Sequence, residues 1–440
     1  MTLRVPRAAR AATAALAAGL LVSACGVGAE PVRNPKLSDG KVTLTMNWWG
    51  AGERNERTLK AVELFEKEHP NIDVKPVYAD WNGYWDRLAT STASGDMPDV
   101  NQFDEVYLAS YADRGALLDL STVTRYLDTS ELDAKILDSG RVGDTLYAVP
   151  VGAAPNAILL NTSLFEKYGV EVPDTSDWTW EEFDAAAQRM SKASKGEVRG
   201  VAPWGGDAFT LNVWARQHGD ELFDRDGELT LDPATLASYW QRTMDQVRSG
   251  AAAPPEHHLE MQGVPLDQMD VTTGKAAMGF IPGGQFTAFQ QASPDDEYAV
   301  ANWPTDSRTK KGFQYLKPTM YWSGASTSAH PAEAAVLIDF LTNDTRVAKI
   351  LGLDRGEPAN PAGREAVRPT LDESGKKALA FTEAAARYLG RPAPITPNGA
   401  SDLQTVEVRY YQQLLSGETS PKKAAEDFLA EVGDAINAAG

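Results

Sequence analysis

Three short segments set an aromatic ring or an acid where an extended run gives way to a loop: Asn47-Trp48-Trp49-Gly50, Ala79-Asp80-Trp81 and Phe103-Asp104-Glu105. A tryptophan face packs on apolar C–H surface and a carboxylate accepts hydrogen bonds from hydroxyls, so together they can hold a polyhydroxylated ring. Later strand ends add Trp204 with Asp207, and then Trp303 and Trp322. Every one of these also has an ordinary reading, since short acids cap helices and tryptophans pack beneath loops. For Trp85, Trp178, Trp180, Trp214 and Trp240 the packing reading is preferred, because they fall on helices or helix starts. Trp48 alternates with Trp49 along its strand and is read as core.

Catalytic and metal chemistry find little support. No nucleophile elbow, phosphate-binding loop or zinc-protease helix is present. His257 and His258 stand between Glu256 and Glu260, but adjacent histidines point apart and no third ligand has a matching spacing, so no metal is expected. No cofactor is expected either. Acid pairs abound, although sequence does not give the separation across a cleft that glycoside hydrolysis requires. Lys310-Lys311 reads as a solvated turn.

The one cysteine, Cys25, follows a basic start (Arg4, Arg7, Arg10), an apolar run from Ala11 to Val22, and the small residues Ser23 and Ala24. That is signal-peptide anatomy, and a run of about 12 residues is too short to span a bilayer permanently. Leu21-Val22-Ser23-Ala24-Cys25 is similar to the lipobox of bacterial lipoproteins, in which the cysteine takes a diacylglycerol. Residues 1–24 are therefore read as a cleaved signal and 25–40 as a lipidated tether. A single cysteine excludes an intramolecular disulfide. The formal charge of −19 becomes about −22 without the leader, which disfavours nucleic acid and anionic membrane as partners.

From Val42 the pattern alternates strand and helix three times. Val42–Met46, Ile72–Tyr78 and Val100–Phe103 read as strands, and helical runs follow, the first carrying Leu59, Val62, Leu64 and Phe65. Such alternation predicts a parallel sheet covered by helices, with ligand beyond the carboxyl ends of the strands. Tyr147–Asn161 reads as one extended segment bridging two lobes, and Thr179 between two tryptophans as a helix cap. A chain of this length exceeds what one core usually holds.

Together with the lipobox, an ordered series of motifs resembles the extracellular solute-binding proteins (family 1) of carbohydrate ABC importers, the group that includes maltose-binding protein. The series runs through Trp48-Trp49-Gly50, Phe65-Glu66-Lys67-Glu68-His69-Pro70, Gly95-Asp96-Met97-Pro98-Asp99-Val100, Gly115-Ala116-Leu117-Leu118-Asp119-Leu120, Tyr147-Ala148-Val149-Pro150, Leu160-Asn161 and Gly274-Lys275-Ala276-Ala277-Met278. The resemblance covers nearly all of residues 41–440. It implies an α/β, two-lobed periplasmic-binding-protein-like fold (type II), each lobe a mostly parallel sheet flanked by helices, joined by a hinge. Lobe 1 would hold residues 41–150 and 298–345, and lobe 2 residues 151–297 and 346–440.

The resemblance also implies roles for particular residues. Asp104 is the expected acceptor just after the third strand, with Glu105 in its place if the register moves by one. Apart from the resemblance, their places at strand-to-loop junctions make Trp49, Trp81, Trp204, Trp303 and Trp322 candidate contacts, with Asp80 and Asp207 as further acids. Gln285 stands where family members often place an aromatic ring, with Phe286 as the substitute. From its own chemistry, Arg355 in the turn before Pro358 reads as a bidentate donor to hydroxyls or as one half of a surface salt bridge. The function implied is a monomeric lipid-anchored receptor, outside the cytoplasmic membrane, that binds a sugar or small oligosaccharide between its lobes and delivers it to an ABC permease. A surface glycoside hydrolase or lyase, and a receptor for a non-sugar solute, are the alternatives.

Overall fold

A computed structural model describes residues 33–50, 52–306 and 311–439. Cys25 and Lys310 lie outside these. The first sheet is built from β1 (Val42–Trp49), α1 (Gly52–Glu68), β2 (Ile72–Ala79), α2 (Trp81–Ala93), β3 (Val100–Phe103) and α3 (Glu105–Asp113), followed by α4 (Ala134–Asp138) and the hairpin β4 (Arg141–Val142) and β5 (Thr145–Leu146). β1 pairs in parallel with β2 and β3, as β–α–β connections require. Val42, Leu44, Met46 and Trp48 face one side of β1 and bury against α1, whose Ala61, Val62 and Phe65 recur at helical spacing.

β6 (Ala148–Asn161) is the element that makes two lobes of one chain. Its first half pairs with β10 (Leu316–Gly324), itself antiparallel to β3, and its second half pairs with β8 (Ala276–Pro282) and β9 (Tyr298–Ala301). Between them run α5 (Thr162–Lys167), α6 (Trp180–Ala193), β7 (Arg199–Val201), α7 (Ala208–Gln217), α8 (Pro233–Arg248), α9 (Pro255–Glu260) and α10 (Phe286–Ala292). β7 is parallel to β8, so the strand order is β2-β1-β3-β10-β6-β8-β7. Thr179 caps α6 in a full capping box with Glu182, as the sequence suggests.

The return crossings differ from the sequence expectation. β9 pairs with Ile158–Asn161 and therefore belongs with β8, so the chain re-enters the first lobe after residue 301, on the way to β10, rather than at 298. α11 (Pro331–Asn343), α12 (Thr345–Leu351), β11 (Glu357–Pro358) and α13 (Pro361–Val367) stay with that lobe: α12 packs on α1 and α13, and β11 pairs with Gly152 and Ala153 of β6. Only α14 (Glu373–Ala385), which packs on α10 and β9, is back in the second lobe, ahead of α15 (Leu403–Leu415) and α16 (Pro421–Ala439). Periodicity marks elements but not the sheet each one joins, which is why the boundaries at 298 and 346 move. Gly152 is needed where β11 crosses β6, because a Cβ there would lie 2.4 Å from the Arg355 carbonyl oxygen.

Candidate functional site

On the first lobe the carboxyl ends of β1, β2 and β3 form one rim. Trp49 is buried at the end of β1, its ring 5.0 Å from that of Trp81 and 5.3 Å from that of Tyr84, both edge to face. Trp81 opens α2 and is 40 % exposed, the one tryptophan among the large hydrophobics left open to solvent among the described residues. Asp80 caps α2, its Oδ1 accepting from the Gly83 N–H at 2.9 Å. Asp104 caps α3 in the same way, accepting from the Val106 N–H at 3.1 Å. The capping reading therefore holds for both acids.

Asp104 does more than cap. Burial raises its carboxyl above the ordinary aspartate value, with Lys317 pulling the other way and Glu105 adding to the rise. Lys317, on β10, brings its Nζ within 2.6 Å of Glu105 Oε1. Burial works against the Lys317 ammonium, but Glu105 and Asp104 outweigh it and hold its pKa above the usual lysine value. Sequence reasoning missed Lys317. Its signal was a lone basic residue inside the β run Leu316-Lys317-Pro318-Thr319-Met320-Tyr321-Trp322.

The second lobe meets this rim directly. Ser401 Oγ donates to the Val106 carbonyl at 3.0 Å, and Asp402 lies near enough to Tyr107 to raise its phenol, after burial and Asp104. At the end of β7, Asp207 stands ahead of α7 without making a side-chain cap. Burial lifts its carboxyl to about 6. Behind it Glu407 of α15 is fully buried, and burial followed by the Asp207 charge holds it well above the usual glutamate value. Gln404 fixes the loop between them, accepting from the Ala208 N–H at 2.9 Å and donating to the Gly206 carbonyl.

Several expected contacts are core instead. Trp204 is 2 % exposed, stacks on Phe280 at 4.5 Å and Trp180 at 5.7 Å, and donates Nε1 to Gln246 at 2.7 Å. Trp303 closes the same cluster, edge to face with Phe280 at 4.6 Å. Trp322 points to the α1 and α11 side of its sheet, away from Tyr321 next to it, as strand alternation demands. Phe286 fills the core beneath β8 and β9. Only Trp322 is turned inward by a pleat; Trp204, Trp303 and Phe286 follow their strands and pack back into the core.

Arg355 is also a correction. It is 2 % exposed, and its guanidinium donates to Gln102 Oε1 at 3.1 Å and Thr58 Oγ1 at 2.9 Å, pairs with Asp354 at 3.3 Å and lies 5.7 Å from the centre of the Trp322 ring. It bolts the β11 crossing to the first lobe. Gln285 is exposed, in a groove of 680 Å³ between α1 and α10 that it shares with Arg54, Arg57 and Asp354. His257 Nε2 donates to the Asp270 carboxylate, 2.7 Å away, and His258 Nδ1 shares a hydrogen bond with the Tyr411 hydroxyl, 2.7 Å away. Among the described residues no group of three or more His, Cys, Asp or Glu is arranged to hold a metal ion.

Residues 51–346, more than half of the chain, match the family described as bacterial extracellular solute-binding protein. The chain belongs to this family. Similarity to an uncharacterized lipoprotein of the oleD 5′ region in Streptomyces antibioticus is 26 % over 413 residues, 91 % of this chain and 87 % of that one. A mannitol-binding protein of Pseudomonas aeruginosa is 26 % identical over 231 residues, about half of each chain (51 %). An extracellular solute-binding protein family 1 structure from Alicyclobacillus acidocaldarius superposes with a TM-score of 0.70 at 26 % identity, covering 91 % of this chain and 99 % of that one. The fold is thus the α/β periplasmic-binding-protein fold. The family is one of non-catalytic binding proteins, which removes the glycosidase and lyase reading. This solute-binding protein serves ABC transport on the extracytoplasmic side.

Proposed function

We propose that this solute-binding protein is a lipid-anchored receptor that closes its lobes over a sugar, sugar alcohol or short oligosaccharide and delivers it to an ABC permease. The observation that carries the reading is the rim itself. The exposed ring of Trp81 lies 6.4 Å from that of Tyr107, whose phenol feels the Asp104 charge, Glu105 next to Asp104 is paired with Lys317, and Ser401 of the opposite lobe already touches Val106. The ring supplies a stacking surface, and the charged group supplies directional acceptors and a donor for hydroxyls. The mannitol-binding relative supports a polyhydroxylated ligand, and the Streptomyces relative, itself a lipoprotein, supports an anchor at Cys25. Trp49 backs Trp81, Asp80 caps the helix that Trp81 opens, and Asp207 is the acid that the second lobe offers.

Ligand binding would favour the closed form through contacts absent in the open one. A lipid on Cys25 would keep a monomeric receptor at the membrane surface beside its permease, raising effective concentration without strengthening any contact. Isothermal titration of the folded protein with a saccharide panel tests the ligand class, and absence of heat with every member contradicts it. Detergent-phase partitioning tests the anchor: Cys25→Ser should move the protein to the aqueous phase with ligand affinity unchanged, and retention in the detergent phase contradicts the anchor.

A further inference from the structure

The sequence reading treats residues 25–40 as one tether, but from Arg33 onward the chain lies on the first lobe. Asn34 donates its N–H to the Thr122 carbonyl, and its Oδ1 accepts from the Arg125 N–H at 2.9 Å. Further along, Ser38 donates its N–H to Glu333 Oε1 at 2.5 Å, and its hydroxyl shares a hydrogen bond with His330 Nδ1 at 3.4 Å. Glu333 is 3 % exposed, so a buried carboxylate in the first turn of α11 receives this strap.

The strap is fastened at one end of the lobe only. Ser38 stands just before Val42, which opens β1, and α11 follows the end of β10. Leu118 donates its N–H to the Gly324 carbonyl at 2.9 Å, and Gly324 pairs with Val100, the first residue of β3, which brings the turn Leu120–Thr122 to the same end. All of these lie at the amino ends of the parallel strands, whereas Trp81, Asp104 and Glu105 stand at the carboxyl ends. β1 is eight residues long, so the pole that carries the strap and the rim that carries the site are about 25 Å apart.

Chain length turns that placement into an orientation. From Cys25 to Arg33 is a step of eight residues, and a fully extended chain of that length spans at most about 26–29 Å. With the strap docked, a lipid on Cys25 would hold the pole within about 30 Å of the bilayer and leave the rim the farther end. Freed as far as Lys41, the tether doubles its reach to about 53–58 Å, enough to pass the whole length of β1. The fastening suits release, because it consists of a few hydrogen bonds and Leu37, 46 % exposed, adds little apolar burial.

We propose that residues 33–40 are a releasable strap that orients the anchored receptor: docked, it turns the pole of the first lobe towards the membrane, and undocked, it lets the ligand rim turn there instead. The proposal rests on the lipid-anchor reading above and adds the face that the anchored protein carries towards the bilayer.

The test is energy transfer from the full chain, lipidated on Cys25, to an acceptor dye on the headgroups of phosphatidylcholine vesicles, which carry no net charge and so do not orient the protein themselves. The donor dye is attached through Ser121→Cys at the pole or Asp86→Cys in α2 behind the rim, both exposed positions. Transfer should be at least about twofold greater from the pole. Adding Asn34→Ala with Ser38→Pro removes the Asn34 amide and both donors of Ser38, and should make the two transfers equal at an unchanged melting temperature. Equal transfer with the strap unaltered, or greater transfer from Asp86→Cys, overturns the orientation. A difference that survives the strap substitutions overturns the strap as its cause. Failure of the lipidated chain to stay with the vesicles overturns the anchor reading and this proposal together.

Discussion

Lys317 on β10 and Glu105 in the first turn of α3 lie 2.6 Å apart, Nζ to Oε1, with Asp104 close enough to strengthen the lysine's charge. Strands β3 and β10 are antiparallel neighbours, so the two residues are brought together by sheet topology across more than two hundred positions of sequence. The pairing holds two acids at one rim that would otherwise repel each other in a poorly solvated place.

Replacing the lysine isolates that effect. Lys317→Met leaves Asp104 and Glu105 facing each other, and should cost about 1–3 kcal/mol of stability, a buried-pair cost reduced for partial exposure. Saccharide affinity should fall about tenfold or more. Urea unfolding and titration calorimetry check the two effects. An unaltered unfolding midpoint would mean that the pair is held too loosely to matter.

Two tryptophans at strand ends should separate binding from folding. Trp81 is 40 % exposed, so Trp81→Ala should change stability by less than about 1 kcal/mol while weakening saccharide binding about tenfold. Trp204 is 2 % exposed in a stacked cluster, and Trp204→Ala should cost about 3–5 kcal/mol. Thermal melts with parallel titrations distinguish them, and a reversed pattern would move the stacking surface to the second lobe.

The contrast shows what the sequence makes legible. Alternating strand and helix patterns from Val42 to Phe103 disclose the parallel unit, and the short acids Asp80 and Asp104 disclose their helix starts, because each of these is a local property. Trp322 lies within β10, where the pleat turns it inward, and Trp204 and Trp303 lie just past β7 and β9 and fold back into the core of their lobe; both directions depend on tertiary partners. Lys317 was silent for a related reason: its partners, Glu105 and Asp104, lie on elements that only the β3–β10 pairing brings near. The crossing after β9 was misplaced at 298 because Tyr298–Ala301 reads as a strand in either lobe.

Arg355 holds the β11 crossing rather than the ligand. Burial lowers its guanidinium pKa to about 9, with Arg54 pushing the same way and Asp354 opposing. Arg355→Ala removes the donor to Gln102 Oε1, while Asp354 keeps Arg54 at 3.0 Å and Thr58 keeps the Arg54 carbonyl, and it should destabilise by about 2–4 kcal/mol with the dissociation constant changed less than threefold. Lysine lacks the planar fork that reaches both Gln102 and Thr58, so Arg355→Lys should restore little of the loss. Denaturant melts report the stability, and a large affinity loss at full stability would return Arg355 to the ligand site.

Asp207 and Glu407 give the second lobe a pH signature. Both carboxyls titrate higher in the native protein than in the unfolded chain, Asp207 at about 6 through burial. The native state therefore binds more protons, so stability is retained below the ordinary carboxylate range and declines as pH rises through it. For Asp207 the window runs from the ordinary value of 3.8 to about 6. Asp207→Asn should raise the melting temperature at pH 7, by about 1–2 kcal/mol in stability, and make no difference below about pH 4. Glu407→Gln should show the same sign, with its benefit growing as pH rises above the ordinary glutamate range. A benefit that is constant with pH would show that the effect is packing and not ionisation.

The receptor account is tested most directly by titrating the folded, unlipidated chain with neutral saccharides and sugar alcohols, and then recovering and analysing the ligand. The account predicts saturable binding of at least one member, quenching or enhancement of tryptophan fluorescence that Trp81→Ala diminishes, and ligand recovered unchanged. Absence of binding across the panel, or conversion of the ligand to products, would contradict it.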